Sequence, residues 1–159
     1  MIRKLAFTAA ALASLTMASP TFAQTFSPSS GALSGSGNVD LQQTATLNCD
    51  VDVDVASMGS TSATITTRDI YAGDFLCFVV APYGTWNLAV VPGYTDRIAL
   101  TIGANTIANK PCYDTIIVAW SNATKEITFN NDVLDPVTPG DPVCTILSGA
   151  ISIPGLTIL

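Results

Sequence analysis

Three aspartates stand at every second position of the segment Cys49–Val55, which reads CDVDVDV. Carboxylates at positions 1, 3 and 5 begin the calcium-binding loop of helix–loop–helix proteins, which also needs glycine at position 6 and a bidentate glutamate at position 12. Val55 and Thr61 occupy those two places. In a strand, the three carboxylates would lie on one face about 7 Å apart, opposite a face of valines. We therefore interpret the segment as an amphipathic strand with an aqueous face.

A second group of acids, Asp132, Asp135 and Asp141, lies in the proline-rich loop from Asn130 to Pro142. Such a loop offers oxygen ligands for a hard cation. Acidic residues are also common in ordinary turns, where they bond to nearby backbone groups. We keep these three aspartates as weak candidates for a cation site and predict neither a metal site nor a cofactor.

Catalytic residue types are scarce in this chain. It has no histidine, so the Ser-His-Asp and Cys-His arrangements are excluded. Lys110 and Lys125 stand in polar turn contexts, which disfavours a Ser-Lys pair, and Glu126 is the sole glutamate. Paired carboxylates for glycoside cleavage would have to face each other across a cleft. We predict that the protein is not an enzyme.

Four cysteines are widely spaced, at Cys49, Cys77, Cys112 and Cys144. Zinc sites usually use closely paired cysteines, whereas an even number in an exported chain favours disulfides. Two similar units, each running from one cysteine to the next, suggest the pairs Cys49–Cys77 and Cys112–Cys144. Four cysteines allow three connectivities, and the sequence alone does not select one.

Residues 1–23 have the features of a secretory signal peptide: a basic start, a short apolar run and small residues before Ala23. Without Arg3 and Lys4, four basic residues face twelve acidic ones, a net charge of −8. Nucleic acid is a poor partner for such a surface. We predict a secreted or cell-surface protein without a transmembrane anchor, with a flexible extended segment at 24–37 and a single domain at 38–159.

Short β-prone runs recur at intervals of roughly ten residues, separated by turn sequences such as APYGT and DPVTPGDP. Outside the leader, no stretch of the chain has apolar residues at the spacing of an amphipathic helix. We predict an all-β fold, an antiparallel β-sandwich or flattened barrel of roughly 8–10 short strands with two disulfides. The continuous apolar run Phe75–Ala81 is typical of a strand buried on both faces.

An ordered set of motifs then suggests a family. LNC ends at Cys49, Cys77 precedes the element Gly84-Thr85-Trp86, and the second half contains Trp120, ITFNN and the closing CTILSGAISIPGLTIL. The mature chain thus resembles the bacterial family named protein activator of alkane oxidation. The resemblance implies an extracellular or surface-associated protein that assists growth on hydrocarbon without being an oxygenase. The resemblance assigns no catalytic residue to this chain. For the four cysteines it implies only a structural role, as a disulfide framework.

We expect a non-enzymatic structural or interaction protein that acts at surfaces, either at apolar interfaces or by self-assembly into extracellular fibres or a biofilm matrix. Its N-terminal stretch and its apolar tail, 151–159, are candidates for strand exchange between copies. A small extracellular module that binds a glycan, a lipid or calcium is the alternative hypothesis. A pilin-like subunit is a further one, although the chain ends in Thr157-Ile158-Leu159 without a penultimate aromatic residue.

Overall fold

The computed structural model describes residues 23–159, so the predicted leader lies outside the described residues except for Ala23. A short 3-10 helix spans Phe75–Val79. The strands are β1 (Phe26–Ser27), β2 (Leu33–Gln42), β3 (Thr46–Met58), β4 (Ser62–Gly73), β5 (Ala81–Pro82), β6 (Trp86–Val90), β7 (Arg97–Asn105), β8 (Pro111–Ser121), β9 (Glu126–Leu134), β10 (Cys144–Ser152) and β11 (Thr157–Ile158).

Eight of these strands form one closed antiparallel sheet. The order is β7-β6-β4-β3-β2-β10-β9-β8, and pairing of β7 with β8 closes the ring, while β5 adds a short pairing with β7. The predicted all-β fold is confirmed. The sheet is a closed barrel rather than a clear sandwich, because one continuous ladder joins all eight strands. The flattened barrel that the prediction also allowed describes the architecture. In the described part of the chain, no helix combines the length and hydrophobicity needed to cross a membrane.

The side chains of β3 alternate between buried and exposed or half-exposed, and the buried ones form one wall of the core. Val51, Val53 and Val55 are buried, whereas the intervening aspartates are half-exposed on the outer surface. This confirms the amphipathic-strand interpretation of CDVDVDV. Because side chains point alternately inwards and outwards along every strand, the eight strands together fill the barrel with aliphatic and aromatic residues.

Curvature of the wall depends on small inward-facing positions in β2. A Cβ on Gly35 would lie 2.5 Å from the carbonyl oxygen of Ser152, and one on Gly37 would lie 1.9 Å from that of Ala150. Glycine at these places lets β2 and β10 approach closely. Register shifts between β3 and β4, and between β10 and β2, bend the ladder further.

The segment expected to be extended and mobile, 24–37, contains β1 and the first half of β2. Phe26 is buried, and β1 pairs with β11 in a separate two-stranded sheet. Reciprocal backbone hydrogen bonds of 3.2 and 2.9 Å join Thr25 to Leu159. The two ends of the described chain therefore lie side by side.

The barrel has two distinct ends. Both disulfides, Cys49–Cys77 and Cys112–Cys144, lie at the end where β2 turns into β3; we call this the disulfide pole. The opposite end carries the β1–β11 pair and the turn after β3, where the Phe26 N–H donates to the Ser60 carbonyl at 2.7 Å; we call it the terminal pole. β3 runs the whole distance between them.

One part of the wall is open. β8 and β9 form three ladder pairs, Ala119–Ser121 with Glu126–Thr128, and meet again through the bridge of Cys112 with Pro136. The intervening stretch of the two strands, all of it described, forms no ladder pairs. We call this stretch the open seam.

Candidate apolar contact site

The apolar run predicted to be a buried strand, Phe75–Ala81, folds differently. Phe75–Val79 form a 3-10 helix, and only Cys77 and Val80 within the run are buried. The prediction is wrong because a continuous apolar run does not distinguish a strand from a helical turn. The disulfide draws Cys77 inwards, and its neighbours on the short helix are left pointing outwards.

The chain turns out of the sheet just before this helix. Gly73 has φ of 85°, and a Cβ there would lie 2.1 Å from the Asn48 carbonyl oxygen, so glycine is required. The Asp74 N–H donates to the Asn48 carbonyl at 2.8 Å, while the Asn48 N–H donates to the Asp74 carboxylate at 2.7 Å. These two bonds fix the start of the helix to the beginning of β3.

Two further constraints hold the helix in place. The Cys77 N–H donates to the Asp74 carbonyl at 2.9 Å, and the Val80 N–H donates to the Cys77 carbonyl at 3.0 Å. Cys77 is bonded to Cys49, and both cysteines are fully buried. The helix is therefore anchored at its centre by a covalent link to β3.

The anchored helix presents a compact apolar surface, which we call the apolar tip: Phe75, Leu76, Phe78 and Val79. Phe75 is 82% exposed and Phe78 is 66% exposed, and their rings pack edge to face with centroids 5.3 Å apart. Single exposed apolar residues are ordinary, but adjacent ones on a protruding element mark contact surfaces. The tip is the most exposed aromatic feature of residues 23–159.

A polar outer face lies beside the tip, across β2, β3 and β4. The Tyr71 hydroxyl donates to Asp52 at 2.7 Å, and hydrogen bonds from Ser148 and Asn48 hold the pKa of the Asp40 carboxyl below its usual value. A groove of about 480 Å³ on this face has polar side chains along it. They are Ser34, Ser36, Asp52, Asp54, Asp69 and Ser152.

The hydrogen bond to Asp52 raises the pKa of Tyr71 above its usual value, because deprotonation would remove the donor and place two negative charges together; burial and nearby carboxylates add to the effect. The contribution to stability is present below pH ~10 and is lost as the pH rises through the raised pKa of Tyr71. We expect Asp52→Ala to lower the pKa of Tyr71 towards that of a free tyrosine. Absorbance titration, with Tyr71→Phe to assign the signal, measures this.

Asp132→Ala is the matched control for that titration, since Asp132 lies on β9, away from Tyr71. An unchanged pKa in the Asp52 variant would show that the hydrogen bond does not exist in solution.

The predicted cation candidates do not form a common site. Asp132 accepts the Asn130 N–H at 2.9 Å, and Asp141 forms an ion pair with Lys110. The Asp135 carbonyl accepts the Tyr113 N–H at 2.9 Å, which ties β8 to the following loop. Among the described residues, no group of three or more His, Cys, Asp or Glu side chains is arranged to hold a metal ion.

The second disulfide lies beside a cluster of hydrogen-bonded polar groups at the disulfide pole. The Gln43 amide donates to the carbonyl of Lys110 at 3.1 Å and to that of Pro142 at 2.9 Å, and its oxygen accepts the Thr106 hydroxyl. Cys112–Cys144 joins the start of β8 to the start of β10, and Gln43 fastens the loops that precede these strands to the turn between β2 and β3. This second disulfide makes no covalent link to the apolar tip.

Sequence reasoning missed the apolar tip as a site. The available signal was Gly73-Asp74, a turn pair directly before the apolar run, together with a cysteine at the centre of that run. A cysteine bonded to a neighbouring strand permits only one side of a short helix to face the core.

Comparison with known proteins identifies one family model. It is described as alkane oxidation protein activator PraA/PraB-like, and it matches residues 1–159. Neither a curated protein nor a solved structure gives a significant match to the chain.

Proposed function

The chain belongs to the PraA/PraB-like family of alkane oxidation protein activators, and from this premise we propose that it is an exported, non-enzymatic protein that adsorbs to apolar hydrocarbon surfaces through the apolar tip. The absence of histidine from the sequence and the two disulfides support the non-enzymatic and exported parts of the proposal. Disulfides persist in oxidising compartments outside the cytosol.

The apolar tip is the observation that carries this proposal. Transfer of a phenylalanine side chain out of water contributes roughly 1.5–3 kcal/mol, and Phe75 and Phe78 stand exposed side by side. Their position on a short helix at the disulfide pole allows both rings to enter an apolar phase while the barrel stays in water. The covalent anchor at Cys77 keeps the rings outside the core.

The net negative charge of the protein determines which apolar surfaces it can approach. Four basic residues face twelve acidic ones in residues 23–159, and Asp74 directly precedes the helix. Anionic lipid surfaces repel such a protein, because binding to them depends on clustered Lys and Arg. An uncharged hydrocarbon–water interface carries no such penalty, so we propose hydrocarbon droplets rather than membranes as the surface.

The double variant Phe75→Ser, Phe78→Ser tests the proposal. We expect the protein to lower the interfacial tension of a hexadecane drop in water, and the variant to need at least about tenfold more protein for the same effect, since every 1.4 kcal/mol is a factor of ten. Pendant-drop tensiometry measures this, with folding checked by circular dichroism.

The matched control replaces two exposed aliphatic residues elsewhere, Ile117→Ser and Val133→Ser, which are 57% and 46% exposed on β8 and β9. This control should adsorb like the parent. Equal adsorption by the tip variant and the parent would contradict the proposal, as would an equal loss in the control.

A second candidate function is self-assembly by strand exchange, and the structure of the N-terminal arm supports it. Residues 23–27 contact the rest of the chain through β1, through the bonds of Thr25 with Leu159 and through Gln24, whose side-chain oxygen accepts the Gly93 N–H. An exposed linker, Pro28–Ala32, separates them from β2. Passing the arm to a second copy would keep every native contact, and repeated exchange without closure would give fibres. In that case the chain would be a matrix component, and truncation of Phe26 would abolish its association.

A further inference from the structure

A cavity lies inside the barrel, and none of the residues of the apolar tip lines it. The space open to the centre of a water-sized sphere is about 30 Å³. With the radius of that sphere added, the cavity is roughly 6–7 Å across, which is wide enough to hold a water molecule. Well-packed interiors contain few voids of this size. Eleven residues line it: Val39, Leu41, Val51, Ile70, Trp86, Ile102, Gly103, Ala104, Leu134, Ile146 and Ile151.

The lining is unsuited to water. A buried water needs two to four polar partners, and the sole side-chain polar group among the lining residues is the indole N–H of Trp86. That group already donates to the carbonyls of Tyr83 at 3.1 Å and Gly103 at 3.0 Å. Apolar cavities without polar partners stay dry and admit apolar guests.

The small side chain of Ala104 leaves room for the cavity in β7, whereas the preceding Gly103 points away from the barrel interior. A Cβ on Gly103 would lie 2.6 Å from the Cys112 carbonyl oxygen, so the close approach of β7 and β8 requires glycine there. Ala104 follows it, buried, opposite large side chains such as Leu134. Leu134 belongs to the stretch of β9 beside the open seam, where the wall lacks ladder pairs.

We propose that the barrel interior is a binding site for one small apolar molecule, a saturated hydrocarbon of a few carbons. The guest contacts the methyl groups of Val51, Leu134 and Ile146 and is held by dispersion and by exclusion of water. This site is separate from surface adsorption, because its lining residues are buried, apart from the half-buried Ile70, and those of the apolar tip are exposed.

Methyl NMR of the full mature chain under rising pressure of xenon, and then of n-butane, tests the inference. We expect saturable shifts confined to the methyl groups that line the cavity, and a higher melting temperature in the presence of either gas, because ligands that bind only the folded state stabilise it. Shifts that are absent, or spread evenly over surface methyls, would overturn the inference.

Val51→Ile adds a methylene to the cavity and should weaken binding of either gas about fivefold or more while raising the melting temperature. Val55→Ile is the matched control: Val55 is on the same strand, is fully buried and does not line the cavity. The control should bind the gases like the parent and melt at a lower temperature, because its surroundings are filled. Equal binding by the Val51 variant and the parent would overturn the inference, and Ala104→Val repeats the test from the opposite wall.

The variant Phe75→Ser, Phe78→Ser separates this inference from the proposed surface role. It should retain the full xenon shifts although it no longer adsorbs to hexadecane. Loss of the xenon shifts in this variant would show that the gases act at the apolar tip rather than in the interior.

Discussion

Replacing Cys49 and Cys77 by alanine is expected to lower the free energy of unfolding by roughly 3–4 kcal/mol and to abolish adsorption to hydrocarbon. The two cysteines are 28 residues apart in sequence, and their bond restricts the unfolded chain. The same bond is the covalent anchor of the 3-10 helix, and both sulfur atoms lie in the core. Without it, Phe75 and Phe78 are free to fold back onto the barrel.

Cys112→Ala with Cys144→Ala is the matched control. That pair is 32 residues apart, so the chain-entropy model gives nearly the same loss of stability. Because it has no link to the apolar tip, adsorption should remain. Guanidinium denaturation and drop tensiometry on both double variants measure the two quantities. Equal loss of adsorption in the two folded variants would show that the Cys49–Cys77 anchor has no special role.

Phe26→Ala is expected to lower the free energy of unfolding by about 3–5 kcal/mol, the range for truncation of a buried aromatic residue. Phe26 is 2% exposed, and it is the apolar contact by which β1 is held against β11. Its loss should free the N-terminal arm and remove any dimers or fibres formed by arm exchange. Denaturation and light scattering over a range of protein concentrations measure these effects.

Phe75→Ala makes the same chemical change at a side chain that is 82% exposed. Its effect on stability should stay within about 0.5 kcal/mol. If Phe26→Ala is as mild as Phe75→Ala, the arm does not contribute to the core. If associated forms persist in a folded Phe26 variant, association does not depend on arm exchange.

The sequence was sufficient for those parts of the fold that depend on local periodicity. In CDVDVDV, alternation alone places the valines inside and the aspartates outside, because successive side chains of a strand point to opposite faces. Turn residues between short β-prone runs likewise indicated an antiparallel all-β chain.

Closure of the sheet and the position of the apolar tip depend on contacts between distant residues. The pairing of Leu33–Gln42 with Cys144–Ser152, near opposite ends of the chain, completes the ring of the barrel, and nothing in either segment distinguishes that pairing from a second layer. The run from Phe75 to Val80 has the composition of a core strand. Its exposure follows from the bond between Cys77 and Cys49 and from the turn at Gly73, both of which act through β3.

The location of the two ends of the described chain has a practical consequence. From Cys49 to Met58 the extended β3 covers about 30 Å at ~3.3 Å per residue, so Thr25 and Leu159 lie on the far side of the barrel from Phe75. A molecule seated on an oil droplet by its aromatic rings would hold both ends in the water. A fluorophore attached after Leu159 would then report how densely the droplets are coated, and it would not disturb the contact between the protein and the oil.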